Sequence, residues 1–396
     1  MSNLPVPEHS EPLPPRTLLD VTLESKKCGV IGGGIAGTLI TAVVQEAALS
    51  HGVDVQTHWA FDSKENTAST RAGAYHAPFN TSDPRMGEWA TKSWSMLDLY
   101  ERMGVGHLIN EAKTLYLSNL TPMPLPQGLP GAVVEMNPAD LGFGANYVNA
   151  ALVERGRVFS PPALMPALHS SLAQNQNILV DSQRHFRDIE DIVAWARKRD
   201  LQAVFVAAGA SSGTLLGHER IVGSLGVLVH VPMAPELGLH NDIVVMDEDH
   251  DETLSYTIPA PALGTIGVGG TVHRTFDLPY SPGAEYTDDF KYFNEWVAYE
   301  AQQEAKLIRA RVGARFPLMR EALASSKLKV THGLRPHAAE VILRVLPPQA
   351  TGGVFVAEIG GLGGSGITIA PALALEALGL PCPIEAEEAV AEAAGE

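Results

Sequence analysis

The feature that most constrains the fold is a glycine-rich turn in the stretch "KKCGVIGGGIAGTLITAVVQEAA". Gly32, Gly34 and Gly37 match the spacing G-x-G-x-x-G. An apolar run at residues 28–31 predicts a strand before the turn, and residues 38–49 predict a helix after it. A second strand-like run, "VDVQTHWA", follows. This order predicts a βαβ unit in which the helix N-terminus binds the pyrophosphate of a dinucleotide. The alternative interpretation is a glycine-rich turn that binds no ligand.

The same spacing occurs again near the end of the chain, in "VFVAEIGGLGGSGITIAPALALEALG". Gly361, Gly363 and Gly366 follow a strand-like run and precede a helix-like run. Only about thirty residues remain after Gly366, too few for the rest of a nucleotide-binding fold. The motif therefore needs an interpretation other than a second nucleotide domain.

One part of the dinucleotide fingerprint is missing from the first unit. The second strand of such a unit normally ends in Asp or Glu, which binds the ribose hydroxyls. Here the expected place falls near residues 58–60, and the nearest acid is Asp62. Either Asp62 reaches back to the ribose, or backbone and water hold it. The gap weakens the hypothesis of an NAD(P)-linked dehydrogenase.

Charge and cysteine content exclude several other functions. The formal net charge of -17 disfavours nucleic acid and anionic membrane as partners. We find no apolar run of about 18 residues that would span a membrane. The two cysteines, Cys28 and Cys382, are too few for a disulfide framework and favour a reducing, cytoplasmic location. No His and acid spacing of the metal-binding kind occurs, so we expect no metal.

The 396 residues suit two domains, and the pattern predicts that each is discontinuous. The fold class is α/β, because βα material brackets a β-rich region. We assign residues 1–25 to a proline-rich disordered arm and residues 383–396 to an acidic tail. The nucleotide-binding domain comprises residues 26–85, 152–224 and 326–382, and a β-rich substrate domain comprises residues 86–151 and 225–325.

Four further stretches resemble the D-amino acid oxidase family. They are "NTASTRAGAYHAPFNTSDPRMGEWA", "LQAVFVAAGASSGTLLG", "HGLRPHAAEVILR" and the closing "GLGGSGIT", in the family's order. Glycine oxidase, sarcosine oxidase and the flavin domain of a tRNA-modifying oxidase share this architecture. The resemblance implies non-covalent FAD, held by a Rossmann-type FAD-binding domain that is interleaved with the β-rich substrate domain.

The resemblance also implies which residues contact the cofactor. The last glycine turn would face the flavin ring, where the N-terminus of the following helix stabilises the negative charge of the reduced ring. The predicted FAD contacts are Gly32, Gly34, Ile35, Ala36, Gly37, Asp62, Ser69, Arg71, Ala72, Gly73, Ala208, Gly209, Gly363, Gly364, Ser365, Gly366, Ile367 and Thr368.

Three residues are predicted to carry the chemistry. Arg335, in "GLRP", would pair with a substrate carboxylate, because a guanidinium binds a carboxylate through two charge-assisted hydrogen bonds. Tyr256 matches one of two family tyrosines over the pocket; Glu252 stands in place of the other, on an acidic turn that either faces an amine-bearing substrate or is simply solvated. His76 would hydrogen-bond the flavin or substrate, or is a structural histidine.

The resemblance implies an FAD-dependent oxidoreductase that oxidises the C–N bond of an amino acid or related amine. A hydride passes from the substrate to flavin N5, the imine hydrolyses to a keto acid or aldehyde, and O2 or another acceptor reoxidises the flavin. No general base is needed, since the protein supplies orientation and electrostatics. The alternative is a degenerate member that binds flavin in a regulatory or structural role. Either reading leaves room for a homodimer.

Overall fold

The computed structural model describes residues 17–62, 67–77, 83–123, 125, 131–141, 143, 146–233, 242–247, 254–270, 275–276 and 288–381. The helices are α1 (Leu18–Ser25), α2 (Ile35–Ser50), α3 (Ala68–Arg71), α4 (Met86–Trp94), α5 (Leu97–Arg102), α6 (Pro161–Ala173), α7 (Ile189–Lys198), α8 (Ser212–Leu215), α9 (Asp288–Arg315), α10 (Pro317–Ala324) and α11 (Gly366–Leu378). The strands are β1 (Lys27–Ile31), β2 (Gln56–Phe61), β3 (Ala74–Tyr75), β4 (Ile109–Ser118), β5 (Val133–Met136), β6 (Asn149–Phe159), β7 (Ile178–Ser182), β8 (Ala203–Val206), β9 (Val222–Pro232), β10 (Ile243–Asp247), β11 (Ser255–Ala260), β12 (Thr265–Gly269), β13 (Thr275–Phe276), β14 (Lys329–Leu346) and β15 (Phe355–Leu362).

The strands form one large mixed sheet in the order β3-β6-β4-β10-β11-β12-β9-β14-β15-β8-β1-β2-β7. The run from β15 to β7 is parallel, as expected for a doubly wound nucleotide-binding unit. The remaining neighbours along this order pair antiparallel, except the parallel pair β4 and β10. The prediction of an α/β fold with a Rossmann-type unit and further β-rich material is confirmed.

Helices cover both faces of the parallel part of the sheet. On one face, α2, α6 and α11 pack in a core with α4 and α5, and this core includes Leu39, Leu164 and Leu373. On the other face, α7 packs through Ile192 and Trp195. Strands buried on both faces read as continuous apolar runs, which is why the sequence of β8, "AVFV", shows no alternation.

The antiparallel part of the sheet has two unlike faces. Along β9, Leu225, Val227 and Val229 pack with α9 and α10 in a second core. The alternate residue Leu228 packs on the opposite face, in a cluster with Tyr256. Side chains alternate across a strand, so residues of even number in β9 share that opposite face. This face carries the candidate substrate site.

The predicted disordered arm is wrong over its last residues, because α1 forms there. Thr17 caps the helix, accepting a hydrogen bond from the Asp20 amide at 3.1 Å, and the Asp20 side chain accepts one in return from the Thr17 amide. Leu18 and Val21 are buried in the first core, and that burial offsets the cost of ordering the segment. Residues 1–16, Glu252 and the predicted acidic tail lie outside the described residues.

Two details of the structure bear on the predicted division into domains, which stays a prediction. The predicted boundary at residue 152 falls within β6, which pairs with β4 along its length. The segment of α4 and α5, placed by sequence in the substrate domain, packs instead in the first core through Trp89 and Tyr100. No helix within the described residues combines the length and apolarity that crossing a membrane requires.

Candidate cofactor and substrate site

The first glycine turn, between β1 and α2, is closed too tightly for side chains at its ends. Gly32 has a φ of 131°, and a Cβ there would stand 2.7 Å from the carbonyl carbon of Ala207. A Cβ at Gly37 would stand 2.9 Å from the carbonyl carbon of Gly32. At Gly34, by contrast, such a Cβ would have Ser69 Oγ, at 3.4 Å, as its only neighbour within 4 Å among the described residues beyond the adjoining ones in the chain. The outer side of the turn is therefore open beside Gly34, which is where a ligand backbone can approach.

Helix α3 brings a second predicted segment to this turn. The amide of Ile35, the first residue of α2, donates a hydrogen bond to Ser69 Oγ at 3.0 Å. Thr67 caps α3 by accepting from the Thr70 amide at 3.2 Å, and this cap fixes the short helix in place. Ser69 thus lies at the N-terminus of α2, among groups suited to bind phosphate.

The C-terminal glycine turn lies beside the first one. A Cβ on Gly366 would stand 3.2 Å from Ile35 Cγ2, so the N-termini of α2 and α11 are neighbours. The Gly363 amide donates to the carbonyl oxygen of Pro336 at 2.6 Å, which joins the turn to β14. Thr368 Oγ1 donates to the Ala77 carbonyl oxygen at 3.1 Å, which joins α11 to the segment after β3. The two motifs therefore meet in one place, although more than 300 residues separate them in sequence.

The remaining predicted cofactor residues lie mostly in two other segments, the one that includes the end of α3 and the turn after β8. Arg71 Nη1 donates to the His332 carbonyl oxygen at 3.3 Å, and Gly73 packs near Leu228, so this segment joins β14 and β9. Ala208 and Gly209 begin the turn after β8, directly following Ala207, whose carbonyl contacts Gly32.

Asp62 lies at the end of β2 as predicted. Its Oδ1 is 2.8 Å from His185 Nε2, and the two side chains are about half or more exposed. The described partner of the carboxylate thus lies in the segment that follows β7, and a role of Asp62 at the ribose remains a prediction.

Arg335 and Tyr256 come together on the open face of the antiparallel strands. Arg335 Nη2 donates to the Tyr256 phenol oxygen at 3.3 Å. Two glycines make room for them: a Cβ at Gly226 would stand 2.7 Å from Arg335 Nε, and one at Gly269 would stand 2.5 Å from the Tyr256 phenol oxygen. Both side chains therefore lie flat across the sheet instead of projecting from it. Pro336, next to Arg335, accepts the bond from Gly363, so this pair adjoins the C-terminal glycine turn.

Sequence reasoning missed two tyrosines at this site. Tyr75 and Tyr116 pack in the cluster that contains Tyr256, and their phenols interact electrostatically with each other. Tyr116 and Tyr256 are both register partners of Val245, which places them in one row across the sheet. Burial, followed by the nearby Tyr116 and Tyr256, raises the pKa of Tyr75 well above its ordinary value. Both phenols of the Tyr75–Tyr116 pair thus stay protonated. In sequence, Tyr75 belongs to a stretch that resembles the family, whereas the signal for Tyr116 was the alternation along β4, which fits a core tyrosine equally well.

His76 does not fit its predicted catalytic role. Its Nε2 lies 2.8 Å from the Ala90 carbonyl oxygen, and its ring packs edge-on against Trp94 with centroids 5.2 Å apart. The side chain is buried, and burial lowers its pKa to about 4. A neutral imidazole whose proton is engaged by a helix carbonyl favours the structural alternative. Successive side chains of an extended segment point in opposite directions, so Tyr75 faces the candidate site while His76 faces the interior.

The sequence matches the family model described as "DAO: FAD dependent oxidoreductase" over residues 27–378. The chain belongs to this family. FAD is thus its cofactor, and the two glycine turns with adjacent helix N-termini suit a ligand that carries a pyrophosphate. A comparison of the sequence with curated proteins gave no match.

Solved structures of related fold extend over nearly the whole chain. Iminodiacetate oxidase from Chelativorans sp. BNC1 is 14% identical with a TM-score of 0.61, covering 90% of this chain and 96% of its own. Glycine oxidase from Bacillus cereus ATCC 14579 is 15% identical with a TM-score of 0.62, covering 89% and 96%. L-amino acid deaminase from Proteus vulgaris is 12% identical with a TM-score of 0.62, covering 96% and 97%. At these identities the likeness establishes the fold.

Proposed function

We propose that this FAD-dependent oxidoreductase oxidises the C–N bond of a small amino acid or N-substituted amino acid. The observation that carries the proposal is the Arg335–Tyr256 pair on the open sheet face, next to the C-terminal glycine turn. A guanidinium and a phenol at this separation can share one carboxylate, the first through two N–H groups and the second through its O–H. The site therefore suits a substrate that carries a carboxylate close to the reacting carbon.

The chain's own residues bind and orient the substrate. Arg335 and Tyr256 fix the carboxylate, and this fixes the direction of the adjacent carbon–hydrogen bond, a contribution of several kcal/mol to such reactions. The Tyr75–Tyr116 pair closes the same face with two protonated phenols and excludes water from it. Bound flavin would supply the acceptor for the hydride that leaves the carbon next to nitrogen.

The proposal assigns the role of general base to no residue. His76 is engaged elsewhere, and burial raises the pKa of the Tyr75 and Tyr116 phenols, which keeps both of them protonated at neutral pH. A substrate amine that binds neutral needs no proton acceptor before hydride loss. The expected pH profile then follows the amine of the substrate rather than a side chain of the protein.

The structural neighbours support this substrate class by analogy only. Their names identify iminodiacetate, glycine and L-amino acids as substrates, and each of these compounds places an amine one carbon from a carboxylate.

Anaerobic reduction of the bound flavin tests the proposal directly. The purified holoprotein would be mixed with glycine, D- and L-amino acids, N-methyl and N-carboxymethyl amino acids, and matched amines that lack the carboxylate. We expect bleaching of the flavin absorbance by at least one carboxylate-bearing amine and by none of the matched amines. Flavin that no compound reduces would favour the degenerate, non-catalytic alternative.

Substitution of Arg335 separates substrate binding from cofactor binding. Arg335→Ala should raise KM strongly, because removal of a charge-assisted pair costs about 1.5–3 kcal/mol, or roughly 10- to 150-fold. Flavin content should stay at the wild-type level. Arg197→Ala is the matched control, since Arg197 is exposed on α7 and donates to the Gly352 carbonyl oxygen at 2.9 Å, in the connection between β14 and β15. Equal kinetics for the two variants would remove Arg335 from the site.

A further inference from the structure

The carbonyl oxygens of the first glycine turn are each bound by a buried side chain. Trp59 Nε1 donates to the Gly32 carbonyl oxygen at 2.9 Å. His169 Nε2 lies 3.0 Å from the Gly33 carbonyl oxygen and, since a carbonyl only accepts, carries the proton there. Trp59 is 1% exposed and His169 4% exposed, so neither bond competes with water.

The two side chains are held rigidly against each other. The Trp59 and His169 rings meet edge to face with centroids 4.9 Å apart, and Phe61 packs on both at 4.8 Å and 5.5 Å. His169 Nε2 also lies 3.3 Å from Thr38 Oγ1, whose hydroxyl donates to the Gly34 carbonyl oxygen at 2.8 Å. A connected network that begins on β2 and α6 therefore fixes three successive carbonyls of the turn.

Fixing these carbonyls also fixes the opposite ends of their peptide units. In a planar trans peptide the C=O and the following N–H point in opposite directions. If the Gly32 and Gly33 carbonyls point inward to Trp59 and His169, the N–H groups of Gly33 and Gly34 point outward, on the open side of the turn. Neither N–H group donates a hydrogen bond to any residue in the described part of the chain.

This direction matters because the ligand of the turn is an anion. Phosphate oxygens attract N–H groups and repel carbonyl oxygens, so a turn whose peptides rotate freely binds pyrophosphate less well than one held with its amides outward. We propose that Trp59 and His169 are positioning residues for FAD, which bind the Gly32 and Gly33 carbonyls and thereby aim the Gly33 and Gly34 amides at the pyrophosphate.

The location of Trp59 adds to the argument. It lies within residues 58–60, where the dinucleotide fingerprint expects the acid that binds ribose. In this chain Trp59, near the end of the strand, binds the glycine turn from inside the fold, where the fingerprint expects an acid that binds the ribose. The inference concerns the affinity for FAD, so its test does not depend on the proposed substrate.

The opposing explanation is that both bonds only satisfy buried carbonyls. Trp59→Phe keeps an aromatic ring and removes the N–H, and Trp195→Phe is the matched control. Trp195 is likewise buried, 2% exposed, and its indole nitrogen has no hydrogen-bond partner within the described residues. For each variant the dissociation constant of FAD would be measured by flavin fluorescence, and apoprotein stability by urea unfolding.

We expect Trp59→Phe to weaken FAD binding about tenfold, the usual loss for one well-placed hydrogen bond, and Trp195→Phe to change it less than about twofold. His169→Leu should weaken FAD binding about tenfold, and His169→Gln, whose amide donates near the Nε2 position, should restore most of the affinity. The ³¹P resonances of bound FAD should shift in Trp59→Phe and in His169→Leu but not in Trp195→Phe.

Equal FAD affinity and equal ³¹P spectra in the Trp59→Phe and Trp195→Phe variants would overturn the proposal for Trp59. If Trp59→Phe does not fold, the His169 pair decides: equal affinities for His169→Leu and His169→Gln would show that the bond to Gly33 only satisfies a buried carbonyl.

Discussion

Replacing single glycines of the first turn should separate the role of the turn in folding from its role in cofactor binding. Gly37→Ala places a methyl group 2.9 Å from the carbonyl carbon of Gly32, whereas two carbon atoms normally rest about 3.5 Å apart or more. The atoms on both sides belong to the backbone, so no side-chain rotation relieves the overlap. Within the part of the chain that the structure describes, the new methyl group of Gly34→Ala meets only Ser69 Oγ, at 3.4 Å, and the φ of -79° suits alanine.

The expected magnitudes follow from these distances. In Gly37→Ala the gain in helix propensity, about 1 kcal/mol, opposes an overpacking cost of about 1–3 kcal/mol. Because the clash is with backbone, we expect a net loss of about 1–2 kcal/mol in the free energy of unfolding of the apoprotein. In Gly34→Ala the apoprotein should keep its stability or gain about 0.5 kcal/mol, since alanine lowers the entropy of the unfolded chain.

The effect on FAD should run in the other order. The new methyl group of Gly34→Ala lies on the open side of the turn, where the pyrophosphate backbone approaches, so we expect at least a tenfold loss of affinity, or about 1.4 kcal/mol. Urea unfolding of the apoprotein and fluorescence titration with FAD measure the two quantities separately. Wild-type FAD affinity in a stable Gly34→Ala variant would refute the assignment of this turn to the pyrophosphate.

Three further predictions concern buried groups. The pKa of His76 falls from 6.5 to about 4 in the fold, so between these pH values the unfolded chain binds a proton that the folded chain does not. The contribution of His76 to the free energy of unfolding should therefore drop by about 2 kcal/mol from pH 7 to pH 5. His76→Phe should remove this contribution, which urea unfolding at the two pH values measures. Glu358 is fully buried between His218 at 2.8 Å and Arg344 at 2.7 Å, so Glu358→Ala should lower the free energy of unfolding by about 3–5 kcal/mol. Asp200→Ala, which breaks the exposed pair with Lys27, should lower it by less than about 1 kcal/mol. Similar losses in the two variants would contradict the burial argument. Tyr75→Phe should change KM or substrate preference and leave FAD affinity unchanged, which steady-state kinetics and flavin titration check together.

Local patterns were sufficient to predict the two strand–turn–helix units that form the candidate cofactor site. The glycine turn before α2 and the one before α11 are defined by neighbours in sequence, because a strand, a tight turn and a helix follow one another along the chain. The order of the segments that resemble the family indicated the family and the fold. The α1 helix was missed because the prolines before it dominate the composition, while its cap and its buried face depend on Thr17, Asp20 and contacts from distant parts of the chain.

Residues that act through long-range contacts could not be predicted in this way. Tyr116 becomes part of the candidate site only because β4 pairs with β10 and β10 with β11, which aligns it with Tyr256. His169 reaches Gly33 across 136 positions of sequence. The opposite error occurred at His76. Its place in a stretch that resembles the family suggested a catalytic role, but the alternation of side chains points its ring into the interior, where it binds the Ala90 carbonyl oxygen.

We propose that the contact between the two glycine turns is the reason why one spacing occurs twice in this chain. A helix N-terminus carries the equivalent of about half a positive charge, and here α2 and α11 present two such ends side by side, with Gly366 against Ile35. Two like partial charges at this distance repel each other, and an anion beside them offsets the repulsion. FAD carries negative charge at its pyrophosphate, and its ring becomes negative on reduction. A cofactor lying along both turns would meet one helix end with each of these charges, so the second motif needs no nucleotide-binding fold of its own behind it.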